Sequence, residues 1–145
     1  VSAQPKNDSG GAGAVGTAND YLRFGQMLLN GGQLDGARIL SRPTVALMTS
    51  DHIGTRISAP VTAGELLLGI PGYTFGLGFA VRQGPGIAAV PGSTGEFMWG
   101  GYGGTYFWVD PKEELVGIYM SQASGPTRQY YRRLFKQLVY QAIAD

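Results

Sequence analysis

Glu96–Asp110 reads EFMWGGYGGTYFWVD, and no other window of the chain packs so many aromatics and glycines together. Phe97, Trp99, Tyr102, Tyr106, Phe107 and Trp108 supply broad apolar surfaces, while Gly100, Gly101, Gly103 and Gly104 strip the intervening backbone of side chains. Aromatics favour a half-buried pleated surface, and glycine inside such a run marks a bulge, a tight bend or the close approach of another group. The window therefore predicts two strands separated by the glycines. Two glycines before Tyr102 and two after it leave its backbone N–H open, as a strand edge offering donors to a ligand would require. A Gly-rich hairpin packed on the core is the plainer alternative.

Working outward, Asp110-Pro111-Lys112-Glu113 makes a turn and Leu115–Met120 a strand that pairs back as a hairpin. Beyond Ser124-Gly125-Pro126, the stripe Tyr131, Leu134, Phe135, Leu138, Val139 and Ala142 predicts an amphipathic helix of about four turns. Upstream, Phe75, Leu77, Phe79 and Val81 alternate with Gly76, Gly78 and Ala80, which reads as one strand with a small-residue face. Gln83–Gly95 is a Gly/Pro loop. Asp51–Tyr73 contains Pro60 and Pro71, lacks periodicity and reads as a long loop, of the kind that covers a site or joins parts of a larger fold.

Nearer the start, Val1–Gly16 reads as a loop. Thr17 is an N-cap for a helix carrying Tyr21, Phe24, Met27 and Leu28 at helical spacing, ended by Gly31-Gly32. Leu34–Ile39 holds an Asp-Gly turn and forms a small hairpin. Ser41 caps a shorter helix with Pro43 in its first turn. Helices, then antiparallel strands, then a helix make an α+β fold, an antiparallel sheet flanked by helices. Three or four strands leave edges that want partners, so a portion is expected outside the chain.

Composition narrows the function. The chain has 145 residues, one domain's worth or a piece of one. Its 24 glycines stand well above the usual ~7%. A formal net charge of +1, with 14% charged residues, gives no electrostatic case for nucleic acid or an anionic membrane as partner. No cysteine and a single histidine, His52, exclude thiolate chemistry and a histidine-rich metal site. No metal or cofactor is expected. The longest apolar patch, Leu66–Ile70, is too short to span a bilayer. The reading is of a soluble chain, equally suited to the cytoplasm or to a bacterial periplasm or secreted location. Val1 is no initiator methionine, and further sequence is expected before it.

Several motifs reduce to structural readings. Gly11–Gly16 matches G-x-G-x-x-G ahead of a helix, but Gln4–Ser9 is no buried strand, as a dinucleotide site needs. Gly92-Ser93-Thr94-Gly95 imitates a nucleophile elbow, yet Pro91 stands where the first glycine belongs. His52 follows a helix end and lacks a partner serine and carboxylate, so it is read as structural. Arg128, Arg132 and Lys136, with Arg133 alongside, read as a solvated helix face. Asp110, Glu113 and Glu114 read as solvated turn carboxylates.

Ser9–Gly13, Thr17–Phe24 and Met27–Gly32 together resemble the C-terminal half of class C β-lactamase-like serine hydrolases, a group that includes family VIII carboxylesterases, penicillin-binding-protein-like peptidases and transesterases. Leu34-Asp35-Gly36, Arg38–Ser41 and Phe75–Phe79 continue the likeness. Trp99-Gly100-Gly101 followed by Gly104–Pro111 is its most specific part. The resemblance implies a β-lactamase/transpeptidase-like sandwich, with residues 1–145 as the C-terminal part of one domain. It implies that Trp99-Gly100-Gly101 is the esterase-type version of the third active-site motif. The N–H just after that motif supplies half of the family's oxyanion hole, which carries over to Tyr102; Trp99, Gly100, Gly101 and Gly103 would bind substrate. No serine in the chain has lysine three residues on, and no Y-x-N is present. The nucleophile and its base would then belong to an N-terminal half, the partner this chain requires. The implied activity is carboxylesterase on a small ester or amide, with β-lactamase or D-aminopeptidase activity as variants and a noncatalytic Gly/aromatic-rich binding module as the rival from another class. This chain alone is expected to be inactive.

Overall fold

The computed structural model describes residues 10–11, 14–54 and 62–144. The readings of Val1–Ser9, Ala12 and Gly13, and of residues 55–61 lie outside them. Helix α1 (Ala18–Leu29) starts at Thr17, whose hydroxyl accepts from the Asp20 N–H while the Asp20 carboxylate accepts from the Thr17 N–H, a closed capping box. Gly31 and Gly32 end it in left-handed conformation. Strands β1 (Gln33–Leu34) and β2 (Ala37–Arg38) form the small hairpin, with Asp35 and Gly36 both at positive φ. Helix α2 (Arg42–Met48) is capped by Ser41.

Two expectations are corrected in the next stretch. The Asp51–Tyr73 region is not all loop: Ala63–Leu68 is helix α3, begun by a Thr62–Glu65 capping box. Leu67 and Leu68 are buried, so two apolar anchors hold this short helix where propensity alone would not. Tyr73–Val81 is likewise two strands rather than one. Strands β3 (Tyr73–Phe75) and β4 (Ala80–Arg82) pair antiparallel, with Tyr73 opposite Arg82. The chain reverses because the Gly76 N–H donates to the Phe79 carbonyl and Gly78 takes φ +91°, a conformation glycine adopts freely.

The sheet is completed by β5 (Phe97–Gly100), β6 (Tyr106–Asp110) and β7 (Leu115–Tyr119), an antiparallel meander in chain order β3-β4-β5-β6-β7. It has five strands where three or four were expected. Helix α4 (Gly125–Gln141) closes the fold. Period two along β5 and β6 sends Phe97, Phe107 and Val109 to one face and Met98, Tyr106 and Trp108 to the other. Met27 and Leu28 of α1 and Val45 of α2 cover the first face; Leu67 and Leu68 of α3, with Phe135 and Val139 of α4, cover the second. Gly25 lets α1 approach β7, since a methyl group there would stand 2.6 Å from Val116 Cγ1. Trp108 is wholly buried, stacked with Tyr106 at 5.5 Å, and Gly117 opposite it leaves room for the indole.

Helix α4 corrects a third expectation. Its inward line is Arg132 and Lys136, buried, with Phe135, Val139 and Tyr140 half-buried, one residue on from the apolar stripe; Tyr131 and Leu138 are exposed. Arg132 and Lys136 are 1% and 0% exposed, so they are core residues rather than a solvated face. Each long stem packs among apolar neighbours while its charged head reaches an acceptor beneath the helix.

Candidate active site

Arg132 and Lys136 lie one turn apart on α4 and secure the two ends of β5. At its start, the Glu96 carboxylate is fully buried and accepts from Tyr73 Oη at 2.5 Å, Lys136 Nζ at 2.8 Å and Tyr140 Oη at 3.2 Å, with Arg82 Nη1 at 3.7 Å. Lys136 Nζ also sits 4.8 Å from the centre of the Trp108 ring. Burial pulls the Lys136 ammonium down to about 8, against the opposing pull of Glu96. Burial and the Glu96 charge push the Tyr73 and Tyr140 hydroxyls well up. Asp110 is buried too and accepts from Tyr140 Oη at 2.6 Å and the Ser93 N–H at 3.0 Å. Burial raises its carboxyl, but those donors prevail and hold it below the usual carboxylate range. Asp110 is therefore not a solvated turn residue.

The Lys136 shift has a measurable consequence. A lysine bound less tightly to its proton in the folded than in the unfolded state lets stability rise with pH between the two values. Stability should thus climb from about pH 8 to about pH 10 and fall beyond it, where unfolded tyrosines ionise ahead of buried Tyr73, Tyr106 and Tyr140. Thermal unfolding across this range should show the rise in the parent protein and lose it in Lys136→Met.

At the other end of β5, Trp99-Gly100 passes into a β-turn, Gly101–Gly104, closed by the Gly104 N–H on the Gly101 carbonyl at 3.2 Å. Such a turn leaves the two central amides without a partner inside it. Among the described residues the Tyr102 N–H has no acceptor, and it lies outside the β5–β6 ladder, whose last pair is Gly100 with Tyr106. Arg128 Nη1 donates to the Tyr102 carbonyl at 2.6 Å, with its guanidinium 4.8 Å from the Tyr102 ring centre.

The glycines here have steric reasons of their own. A methyl group on Gly100 would stand 2.9 Å from Arg132 Cζ, and one on Gly101 would overlap Thr105 Oγ1. Gly104 takes φ +121° against Ser121 and Ala123, while Gly103 has only Gln122 nearby at 3.2 Å. Gly100 makes room for Arg132 of α4, and the other three let the turn close against Thr105 and the segment Ser121–Ala123.

On the α1 side of the sheet is a cavity of about 550 Å³, lined by Trp99, Gly100, Gly101, Tyr21, Thr105 and Met120 among others. Trp99 meets Phe75 edge to face at 5.5 Å. Tyr102 and Gly103 do not line this cavity: the chain leaves it at Gly101, and Tyr102 is 84% exposed. The structure thus brings Trp99, Gly100 and Gly101 to one wall, with Tyr102 and Gly103 just past its edge. Arg128 and Arg132, which hold that edge, are participants the sequence reading set aside.

The remaining candidates take structural roles. Ser93 is 9% exposed, its N–H held by Asp110 and its hydroxyl 3.3 Å from Glu113. His52 places a ring nitrogen 2.7 Å from the Leu47 carbonyl at the end of α2. Among the described residues no three metal-ligating side chains cluster, and no helix is long and apolar enough to cross a membrane.

A family model, Beta-lactamase, matches residues 1–141. The chain belongs to the beta-lactamase family. Protein Rv1367c of Mycobacterium tuberculosis is 36% identical over 124 residues, covering 81% of this chain and 30% of that protein. Among solved structures, EstCE1, a hydrolase with promiscuous acyltransferase activity, superposes with a TM-score of 0.69 at 28% identity, over 86% of this chain and 30% of EstCE1. The simvastatin synthase LovD from Aspergillus terreus superposes at 0.65 over 86% of this chain and 33% of LovD; at 20% identity that likeness concerns the fold. The chain spans about a third of the length of each. The beta-lactamase family assignment and the antiparallel sheet with flanking helices agree with the resemblance and the fold class read from the sequence.

Proposed function

We propose that these residues are the C-terminal part of a serine carboxylesterase of the beta-lactamase family, working through an acyl-serine intermediate. The observation that carries the reading is the Tyr102 N–H: a main-chain donor with no acceptor among the described residues, on a braced turn two residues past the end of β5, where Trp99, Gly100 and Gly101 line a cavity. The description of EstCE1 as a hydrolase with acyltransferase activity supports acyl transfer. The nucleophilic serine and its lysine come from the N-terminal half of the same hydrolase, because no serine here has lysine three residues on. Its hydroxyl adds to the ester carbonyl as its proton passes to the lysine, and the resulting oxyanion accepts from Tyr102 N–H. Collapse expels the alcohol with that proton, and water then releases the acid and regenerates the serine.

By the resemblance, Trp99 stands in the place of the lysine of the K-T-G motif of lactamases, and an uncharged aromatic there favours neutral esters over anionic β-lactams. The complete hydrolase should turn over a short-chain nitrophenyl ester faster than a chromogenic cephalosporin, and mass spectrometry should show the serine-bearing segment gaining the acyl mass. Turnover of the cephalosporin alone would move the substrate class to β-lactams. Absence of any acyl-enzyme would overturn the catalytic reading in favour of a noncatalytic binding module.

A further inference from the structure

Arg132 is the second buried cation of α4, and it differs from Lys136 in having no carboxylate partner among the described residues. Its four hydrogen bonds all end on main-chain carbonyls: Nη2 on Gly101 at 2.6 Å and Thr105 at 2.8 Å, Nη1 on Leu67 at 2.9 Å, and Nε on Gly104 at 3.3 Å. Among the described residues no acid lies within ion-pair distance, and the like charge of Arg128 opposes its own. A planar fork with donors along three edges can hold several carbonyls at once; an ammonium cannot match that pattern.

The bond to Gly101 has a directional consequence. A trans peptide is planar, with its C=O and N–H pointing in opposite directions, and no cis peptide occurs among the described residues. Arg132 lies on the α4 side of the sheet, with its guanidinium 5.7 Å from the Tyr106 ring centre. The Gly101 carbonyl, which also accepts from the Gly104 N–H, is held towards Arg132, so the Tyr102 N–H in the same peptide plane is directed away from it.

We infer that Arg132 is a positioning residue for the oxyanion donor: together with the Gly104 N–H it orients the Gly101–Tyr102 peptide, and its charge behind that peptide, unpaired among the described residues, favours the substrate carbonyl as it becomes an oxyanion. Electrostatic stabilisation of this kind acts on the transition state far more than on the neutral ester. The inference rests on the reading of Tyr102 N–H as that donor.

The test uses the complete hydrolase with Arg132→Lys and Arg132→Met, and with Arg133→Met as control. Arg133 spans the same two helices through one bond, to the Leu68 carbonyl at 2.6 Å, and makes no hydrogen bond to the turn among the described residues. A misaimed donor should lower kcat for a nitrophenyl ester about 10- to 100-fold with KM little changed. Affinity for a boronate, which forms a tetrahedral anion on the serine, should fall by the same factor. Arg132→Lys should fold and still show most of this loss, whereas Arg133→Met should keep parent kcat even if its melting temperature falls. Parent-like kcat and boronate affinity in Arg132→Lys, or losses of equal size in Arg133→Met, would overturn the inference. A parent enzyme that neither acylates nor binds the boronate would instead overturn the underlying functional reading.

Discussion

Tyr102→Pro is expected to lower kcat of the complete hydrolase by about 10²–10³-fold on a nitrophenyl ester, the usual loss for one oxyanion donor. Proline deletes the amide hydrogen and leaves the rest of the peptide in place. Tyr102 is the second residue of a β-turn and is not among the described residues at positive φ, so the position suits proline's φ near −65°. No hydrogen bond of the fold is lost, because the Tyr102 N–H has no acceptor among the described residues. The comparison is Tyr102→Ala, which removes an exposed ring and its contact with Arg128 but keeps the N–H; it should retain kcat within a few-fold. Steady-state kinetics on the two variants separates the main-chain donor from the side chain. Equal kcat in the proline variant and the parent would show that the oxyanion is held elsewhere.

Much of this site is legible in local sequence, and the part that is not has a common cause. Thr17, Asp20 and Gly31-Gly32 announce α1 because capping and left-handed termination are settled within a few residues. The WGGYGG window announces its two strands for the same reason. Helix α3 carried such a signal, Thr62-Ala63-Gly64-Glu65, with the spacing of a capping box. It was masked by prolines on either side and by Gly64, which the helix needs because a methyl there would stand 2.5 Å from the Ile70 carbonyl oxygen. Gly76 and Gly78 likewise signalled a reversal, yet alternation with Phe75, Leu77 and Phe79 imitated a continuous strand.

Arg132 and Lys136 carried no local signal at all. Their acceptors lie 27 to 65 residues away along the chain, at Gly101, Gly104, Thr105, Leu67 and Glu96. Hydrophobic periodicity assigns cations to solvent unless a distant partner is known, so the helix is read one residue out of phase. The residues that aim and brace the proposed site are therefore the ones that only tertiary structure reveals.

Glu96→Ala should be the most destabilising single truncation in the polar core, at about 3–5 kcal/mol, the range for removing one member of a buried ion pair. The cost comes from what is left behind. Lys136 Nζ, fully buried and with Glu96 as its hydrogen-bond acceptor among the described residues, would lose that acceptor and its counter-charge together. Tyr73 Oη would lose its shortest contact. Arg82 is better protected, since its guanidinium also donates to the Val90 and Pro91 carbonyls, and Tyr140 keeps its bond to Asp110. This ordering leads to a compensation that a purely steric account does not expect. Glu96→Leu combined with Lys136→Met replaces the pair with apolar groups of similar bulk, so the stranded charge is gone and most of the loss should be recovered. Denaturant unfolding of the single and double variants measures the coupling directly. If the double variant is as unstable as the sum of its singles, the pair is not coupled and Lys136 must find its stabilisation from the Trp108 and Tyr140 rings, 4.8 and 5.0 Å away, instead.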